Sequence, residues 1–194
     1  EYLQLNLKKG RLSEQRILKI AENINMSAKR LDNYTESVRT LNQMEDIELK
    51  RQKISASDLL SDIEDDFKII AQKKNIDFRI STLLSNEEIC IDTSVLYRVL
   101  ENVFNNAMRY AKQCINLDVS LNGQKLLFAI VDDGNGFSDE TLSEQRKLLA
   151  KASEDGHLGM GLAISRILCK KHGGSLEIGN NEMHNAVVKI IFSV

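Results

Sequence analysis

The stretch SVLYRVLENVFNNAMRYA, residues 94–111, decides how the rest of the chain is interpreted. Its apolar residues recur three and four positions apart, which predicts an amphipathic helix. Asn102, Asn106 and Arg109 fall within one narrow arc of that helix, and Val103 and Ala107 are predicted on the other side. Asparagine is a poor choice inside a helix because it competes for backbone hydrogen bonds, and such local conflicts are expected at functional sites.

The asparagines suggest a ligand chemistry. An asparagine side-chain oxygen is a hard, neutral ligand that can hold Mg²⁺ while phosphate oxygens and water fill the other positions. The structural alternative is a solvated polar face on a surface helix. This helix alone leaves the two interpretations open.

A second motif, VDDGNGF at residues 131–137, is a strand that ends in Asp-x-Gly-x-Gly. The Asp132 carboxylate can accept a hydrogen bond from an exocyclic amine such as that of adenine. Gly134 and Gly136 would let the backbone approach a ligand closely. The alternative is an acidic turn after a strand, where Asp and Gly are common.

A third motif, GHLGMGLAI at residues 156–164, is a glycine-rich stretch that opens a helix. The first turn of a helix presents free backbone N–H groups and the positive end of the helix dipole, both of which favour phosphate. The alternative is a flexible connector that precedes a helix.

The residues around these motifs alternate between helical and extended patterns. Asn122-Gly123 is a strong hairpin signal between two apolar runs. The pattern predicts an α+β fold, a two-layer sandwich with a mixed sheet and helices on one face. Helices are predicted at about 57–74, 94–111, 139–151 and 159–172, and strands at 76–80, 88–92, 115–121, 126–131, 175–178 and 186–192.

The first 52 residues have a different pattern. Ile17, Ile24, Leu31 and Val38 recur every seventh position, which predicts a bundle or coiled-coil helix over residues 13–51. Residues 1–9 are interpreted as the end of an earlier helix, so a helical hairpin precedes the sandwich. The predicted domains are residues 1–52 and 53–194.

The bulk composition excludes several classes of function. The 26 basic and 28 acidic residues give a net charge of -2, which gives no reason to expect nucleic acid as a partner. No apolar run approaches the roughly 20 residues that cross a bilayer, so we expect no membrane contact by this chain. The 3 cysteines have no metal-ligand spacing and are expected to be reduced thiols in a cytosolic setting.

The order and spacing of the three motifs resemble the GHKL ATP-binding superfamily, and within it the catalytic domain of bacterial sensor histidine kinases. The resemblance covers about residues 53–194, and the seven-spaced helix is similar to the second helix of the family's dimerisation and phosphoacceptor domain. It implies ATP and Mg²⁺ as ligands, and transfer of the γ-phosphoryl group to a histidine that would precede Glu1. It also implies relay to a response regulator, a homodimer through helix 13–51, and a cytoplasmic location as part of a membrane-bound sensor.

The resemblance also assigns site residues. It makes Asn106 the Mg²⁺ ligand and Asp132 the aspartate that reads adenine. Asn102 lies where related ATPases carry a glutamate that activates water, and an amide cannot take that proton, which favours a kinase over a hydrolase. The other residues carried over to the ATP site are Arg109, Tyr110, Gly134, Gly136, Gly159, Gly161 and Leu162.

Some features depart from the family pattern. His157 stands where the first glycine of the last motif is expected. None of the three histidines, His157, His172 and His184, is expected to be the phosphoacceptor, so the chain is interpreted as a fragment. The alternatives are a degenerate kinase that acts as a dimeric scaffold, another GHKL ATPase, and an anti-sigma-type serine kinase.

Overall fold

A computed structural model describes residues 15–25, 27–28, 48–84, 86–145 and 159–194. The chain divides into two compact units, residues 1–42 and 43–194. In the first unit, residues 15–25 and 27–28 are helical, in agreement with the long helix predicted from Ser13. Ile17 and Ile24 of the seven-spaced row are 38% and 57% exposed. Leu31, Val38 and the predicted first arm of the hairpin lie outside the described residues.

The prediction that the long helix reaches Arg51 is wrong, because residues 48–51 are not helical. Their polar groups are used by the second unit instead. The backbone N–H of Lys50 donates to Asp92 Oδ2 at 2.7 Å, and Arg51 Nη2 donates to the carbonyl oxygen of His172 at 3.1 Å. Tertiary bonding therefore overrides the local helical preference here.

The second unit is an α+β sandwich with a mixed sheet, so the predicted fold class is confirmed. A five-stranded sheet has the order β2-β4-β5-β7-β6, in which β2 and β4 are parallel and the other pairs antiparallel. β1 and β3 form a separate antiparallel pair. The elements are β1 Gln52–Ser55, α1 Ala56–Gln72, β2 Asp77–Thr82, β3 Glu88–Ile91, α2 Thr93–Tyr110, β4 Cys114–Asn122, β5 Lys125–Asp132, α3 Asp139–Gln145, α4 Gly159–Lys171, β6 Ser175–Asn180 and β7 Ala186–Ser193.

The core lies between the sheet and its helices. Strands β4, β5 and β7 bury alternate residues, as expected where one face of a sheet is covered. Phe104 of α2 stacks on Phe67 of α1 with ring centroids 4.2 Å apart, and Phe78 of β2 meets Phe104 edge-on at 5.2 Å. Each fully buried side chain of this size stabilises the fold by about 1.5–3 kcal/mol. These contacts fix α2, the helix that carries the asparagines, on the sheet.

His172 is fully buried and joins three parts of the second unit. The backbone N–H of Asp92 donates to Nε2 at 3.0 Å, so Nδ1 carries the proton that is donated to the carbonyl oxygen of Ser193 at 3.0 Å. Asp92 in turn caps α2 by accepting from the N–H of Val95 at 3.1 Å. The ring is therefore neutral, and its role is structural.

The pKa of His172 is lowered by burial and by the positive charge of Arg51, while its bond to Ser193 and the charge of Asp92 act in the opposite direction. An unfolded histidine takes up its proton near pH 6.5, whereas the folded ring resists it. We therefore expect the free energy of unfolding to fall as the pH drops below about 6.5.

The variant His172→Phe should weaken that pH dependence. At pH 7.5 it should lower the free energy of unfolding by about 1–3 kcal/mol, because the Asp92 N–H is left buried without an acceptor. Urea unfolding at pH 7.5 and pH 5.5 measures both effects. The control is His184→Asn, which changes an exposed histidine at a positive φ of 60° that asparagine tolerates. An equal pH slope in wild type and His172→Phe would contradict the expectation.

Candidate functional site

A cavity of about 160 Å³ opens between α2, β5, β7 and the first turn of α4. Most of its wall is apolar, and Asp132 at the end of β5 contributes a carboxylate. Such a cavity suits a flat apolar ring that carries a polar substituent. The lining residues are Val103, Asn106, Ala107, Tyr110, Ile130, Asp132, Asn135, Gly136, Phe137, Ser138, Thr141, Leu162, Ala186 and Val188.

Asp132 is 7% exposed and has one oxygen committed to the protein. The backbone N–H of Gly134 donates to Oδ1 at 2.9 Å. Among the described residues no donor reaches Oδ2, so that oxygen can accept a hydrogen bond from a ligand. Burial raises the pKa of this carboxyl and the charge of Asp133 adds to the effect, while the Gly134 N–H acts against them. A ligand that donates to Asp132 would stabilise its ionised form.

The two glycines after Asp132 are required by close approaches of the backbone. A Cβ at Gly134 would lie 2.6 Å from Asp132 Oδ1 and 2.7 Å from the carbonyl oxygen of Tyr110. Gly136 has a φ of 75°, and a Cβ there would lie 2.1 Å from the carbonyl oxygen of His184. Gly134 lies outside the cavity wall and positions Asp132, whereas Gly136 forms part of the wall.

Asp133 anchors the start of the loop that follows β5. Its Oδ1 accepts from the N–H groups of Lys112 and Gln113 at 2.7 and 3.1 Å, and its own N–H donates to the Cys114 carbonyl. Burial acts to raise the pKa of Asp133, but the N–H groups around the carboxylate outweigh it and lower the pKa. The sequence motif contained this residue without indicating its role.

Helix α2 contributes a different set of residues than the sequence predicted. Asn106 and Tyr110 line the cavity as expected, but they do so together with Val103 and Ala107, which the sequence placed on the opposite side. At about 100° per residue, these four residues span one continuous strip of the helix. The cavity therefore faces the border between the polar and apolar sides of α2.

Asn102 and Arg109 lie outside the cavity wall. Asn102 Nδ2 donates to the buried Ser165 Oγ at 3.3 Å, which links α2 to α4. The side chain also lies beside Gly161, where a Cβ would be 3.8 Å from Asn102 Cγ. Arg109 is exposed in the last turn of α2. A phosphate chain that extended out of the cavity would be needed to reach it.

Helix α4 brings Leu162 into the cavity wall, and Leu162 is almost fully buried. Gly159 begins the helix and Gly161 faces Asn102, so neither glycine lines the cavity. Gly156 and His157 lie outside the described residues. The structure therefore assembles Asn106, Tyr110, Asp132, Gly136 and Leu162 around one cavity.

Most of the apolar wall is not predictable from the sequence motifs. Phe137, Ser138 and Thr141 follow the glycine motif directly, so their proximity to Asp132 could have been predicted. Ala186 and Val188 could not, because they reach the cavity through the pairing of β7 with β5, in which Val188 lies opposite Ile130. No cluster of three or more His, Cys, Asp or Glu side chains that could hold a metal is present in the described part of the chain. A metal at Asn106 would thus depend on ligands supplied with the phosphates.

The second unit is thus an α+β sandwich with a largely apolar cavity that contains one buried carboxylate. The family model described as Histidine kinase-, DNA gyrase B-, and HSP90-like ATPase matches residues 91–194, and the chain belongs to this family. The family membership that the sequence motifs predicted is thereby confirmed. Sensor histidine kinase SpaK of Bacillus subtilis is 26% identical over 167 residues, which are 82% of this chain and 36% of SpaK.

Solved structures share the fold. Histidine kinase AdeS of Acinetobacter baumannii superposes with a TM-score of 0.68 at 16% identity, covering 98% of this chain and 90% of that one. Full-length ShkA in complex with AMPPNP superposes with a TM-score of 0.72 at 22% identity, covering 94% of this chain and 40% of that one. No described helix is long and apolar enough to cross a membrane.

Proposed function

We propose that this chain is the catalytic, ATP-binding part of a sensor histidine kinase. Residues 53–194 bind ATP with Mg²⁺ and donate the γ-phosphoryl group to a histidine on the dimerisation helices, for relay to a response regulator. The observation that carries the proposal is the buried Asp132, which lines a largely apolar cavity and has its Oδ2 available to a ligand. Membership of the ATPase family and sensor histidine kinase relatives support the same conclusion.

Each side chain of the site has a task in this proposal. Asp132 accepts a hydrogen bond from the adenine amine, and Val103, Ala107 and Ile130 cover the ring. Asn106 lines the cavity, and its amide oxygen would hold Mg²⁺. The metal would neutralise charge on the transferred phosphoryl group.

Asn102 supports phosphoryl transfer over hydrolysis. Its amide is engaged with Ser165 and has no basic group with which to activate water. Residues 1–52 are proposed to be part of the dimerisation and phosphoacceptor domain, with a homodimer formed through helix 13–51. We propose a cytoplasmic location, as for the cytosolic part of a membrane-bound sensor.

Nucleotide selectivity tests the proposal. ATP should bind in the presence of Mg²⁺ and GTP should not compete, because guanine has a carbonyl oxygen where adenine has its amine and would face the Asp132 carboxylate. Calorimetry with each nucleotide measures this directly, and equal binding of GTP would refute the adenine assignment.

In the full-length protein, γ-labelled ATP should give an acid-labile, base-stable phosphohistidine. Release of inorganic phosphate without that label would favour a hydrolase.

A further inference from the structure

Asn180, at the end of β6, holds the backbone of the cavity wall at two points. Its Oδ1 accepts from the N–H of Phe137 at 2.8 Å, and its Nδ2 donates to the carbonyl oxygen of the same residue at 2.9 Å. An asparagine that uses both ends of its amide on one peptide residue has little freedom to shift. Phe137 in turn lines the cavity.

The loop that Asn180 holds has few other supports. Residues 134–137 connect β5 to the segment before α3, and they make no backbone–backbone hydrogen bond to another described residue. Gly134 donates to Asp132, and Phe137 donates to Asn180. The loop is thus fixed at its start by Asp133 and at its end by Asn180.

The turn between β6 and β7 lies against the same loop. A Cβ at Gly136 would be 2.1 Å from the carbonyl oxygen of His184 and 2.8 Å from Asn180 Oδ1. The loop backbone therefore packs directly on the hairpin, and the absence of a side chain at position 136 permits it. Asn135, Gly136 and Phe137 all line the cavity, so we expect loss of the Asn180 contact to shift them relative to Asp132.

We propose that Asn180 is a positioning residue of the nucleotide site, which holds the part of the cavity wall formed by residues 135–137 at the spacing that the adenine ring requires. The inference rests on the proposed function, because it concerns the affinity of the same cavity for ATP. Asn180 itself is not among the lining residues, so it acts through Phe137.

The neighbouring Asn181 provides a matched control. Its Oδ1 accepts from the N–H groups of Met183 and Asn185 at 3.0 and 2.9 Å, which stabilises the hairpin turn. Asn181→Ala and Asn180→Ala therefore remove the same side chain from adjacent positions. Each variant loses two hydrogen bonds. The two bonds lost in Asn180→Ala join the hairpin to the cavity loop, whereas the two lost in Asn181→Ala lie within the hairpin turn.

We expect Asn180→Ala to weaken ATP and ADP binding by the same factor, about tenfold, because the loop acts on the adenine end of either nucleotide. Asn181→Ala should bind both within about twofold of wild type even if it unfolds at a lower temperature. Asn180→Asp retains the acceptor for the Phe137 N–H and loses the donor, so its affinity should lie between wild type and Asn180→Ala. Calorimetry at a temperature where all variants are folded gives these values.

Hydrogen exchange of the Phe137 amide gives a second readout. It should accelerate in Asn180→Ala and remain unchanged in Asn181→Ala, as measured by nuclear magnetic resonance. If wild type binds ATP and Asn180→Ala binds it equally well, or if the two alanine variants lose affinity alike, the inference is overturned while the proposed function stands. If wild type itself does not bind ATP, the proposed function fails and the inference fails with it.

Discussion

The variant Asp132→Asn should lose ATP affinity by about 100-fold while remaining folded. The asparagine oxygen can still accept from the Gly134 N–H, so the loop geometry is retained. Its amide nitrogen then replaces Oδ2 and presents donors to the donor amine of adenine. The site loses a charge-assisted hydrogen bond and gains an unpaired buried donor. Asp118→Asn, an exposed change on β4, is the matched control and should bind normally.

In the absence of nucleotide, Asp132→Asn should be at least as stable as the wild type, although it binds ATP more weakly. The pKa of Asp132 is raised in the folded protein above its unfolded value of 3.8. The contribution of this carboxyl group to the free energy of unfolding is therefore fully present below pH 3.8, and it is lost as the pH rises through the folded pKa. At neutral pH the ionised carboxylate therefore destabilises the empty protein. Asp132→Asn should melt at the wild-type temperature or above it, as measured by thermal unfolding. A variant that melts lower and loses ATP would show that Asp132 is needed for folding.

The pH dependence of binding follows from the same carboxylate. ATP affinity should fall as Asp132 becomes protonated, at pH values above the 3.8 of an ordinary aspartate, because burial and Asp133 raise its pKa. Titrating affinity from neutral to acidic pH tests this. Asp132→Asn should lack this component of the pH profile.

The variant Asn106→Ala should weaken Mg²⁺-ATP binding by about 10- to 100-fold and should abolish the dependence of affinity on Mg²⁺. Asn106 lines the cavity from α2, and in the proposed function its amide oxygen holds the Mg²⁺ ion that the phosphates carry. Asn105 offers a close comparison, because it is the preceding residue of the same helix and is exposed. Asn105→Ala should retain both the affinity and the metal dependence.

The measurement is calorimetry with Mg²⁺ and with EDTA for wild type and both variants. Equal wild-type affinity in the two buffers would remove the metal assignment. Loss of affinity in Asn106→Ala with the Mg²⁺ effect preserved would assign Asn106 to the nucleotide rather than to the ion.

The elements predicted correctly from the sequence are those whose geometry depends on residues close together in the chain. The hairpin between β4 and β5 was predicted from Asn122-Gly123, and Gly123 has the positive φ of 62° that such a turn requires. The four-residue strand β1 was missed, because Gln52–Ser55 has no clear alternation and is extended through its pairing with β3. The end of the long helix was misplaced for a similar reason, since the contacts of Lys50 and Arg51 are to residues distant in sequence.

The site also contains residues placed by their neighbours in the sequence and residues placed by distant contacts. Asp132 and Gly136 were identified because a turn motif fixes their geometry within a few residues. Asn102 was grouped with Asn106 by helical spacing, but its partner is Ser165 on another helix. Asn180 gave no signal at all, because a single asparagine at the end of a strand acquires its role only when β6 and β7 bring it to Phe137.

The pairing of β7 with β5 has a consequence for synthesis of the protein. Asp132 and Asn106 are translated before β7, and Ala186 and Val188 complete the cavity wall from this strand, which follows Asp132 by more than 50 residues. A nascent chain on the ribosome therefore has no complete cavity wall until β7 has left the exit tunnel and joined the sheet. A ligand that requires the complete cavity would therefore stabilise the domain only after this last strand has docked.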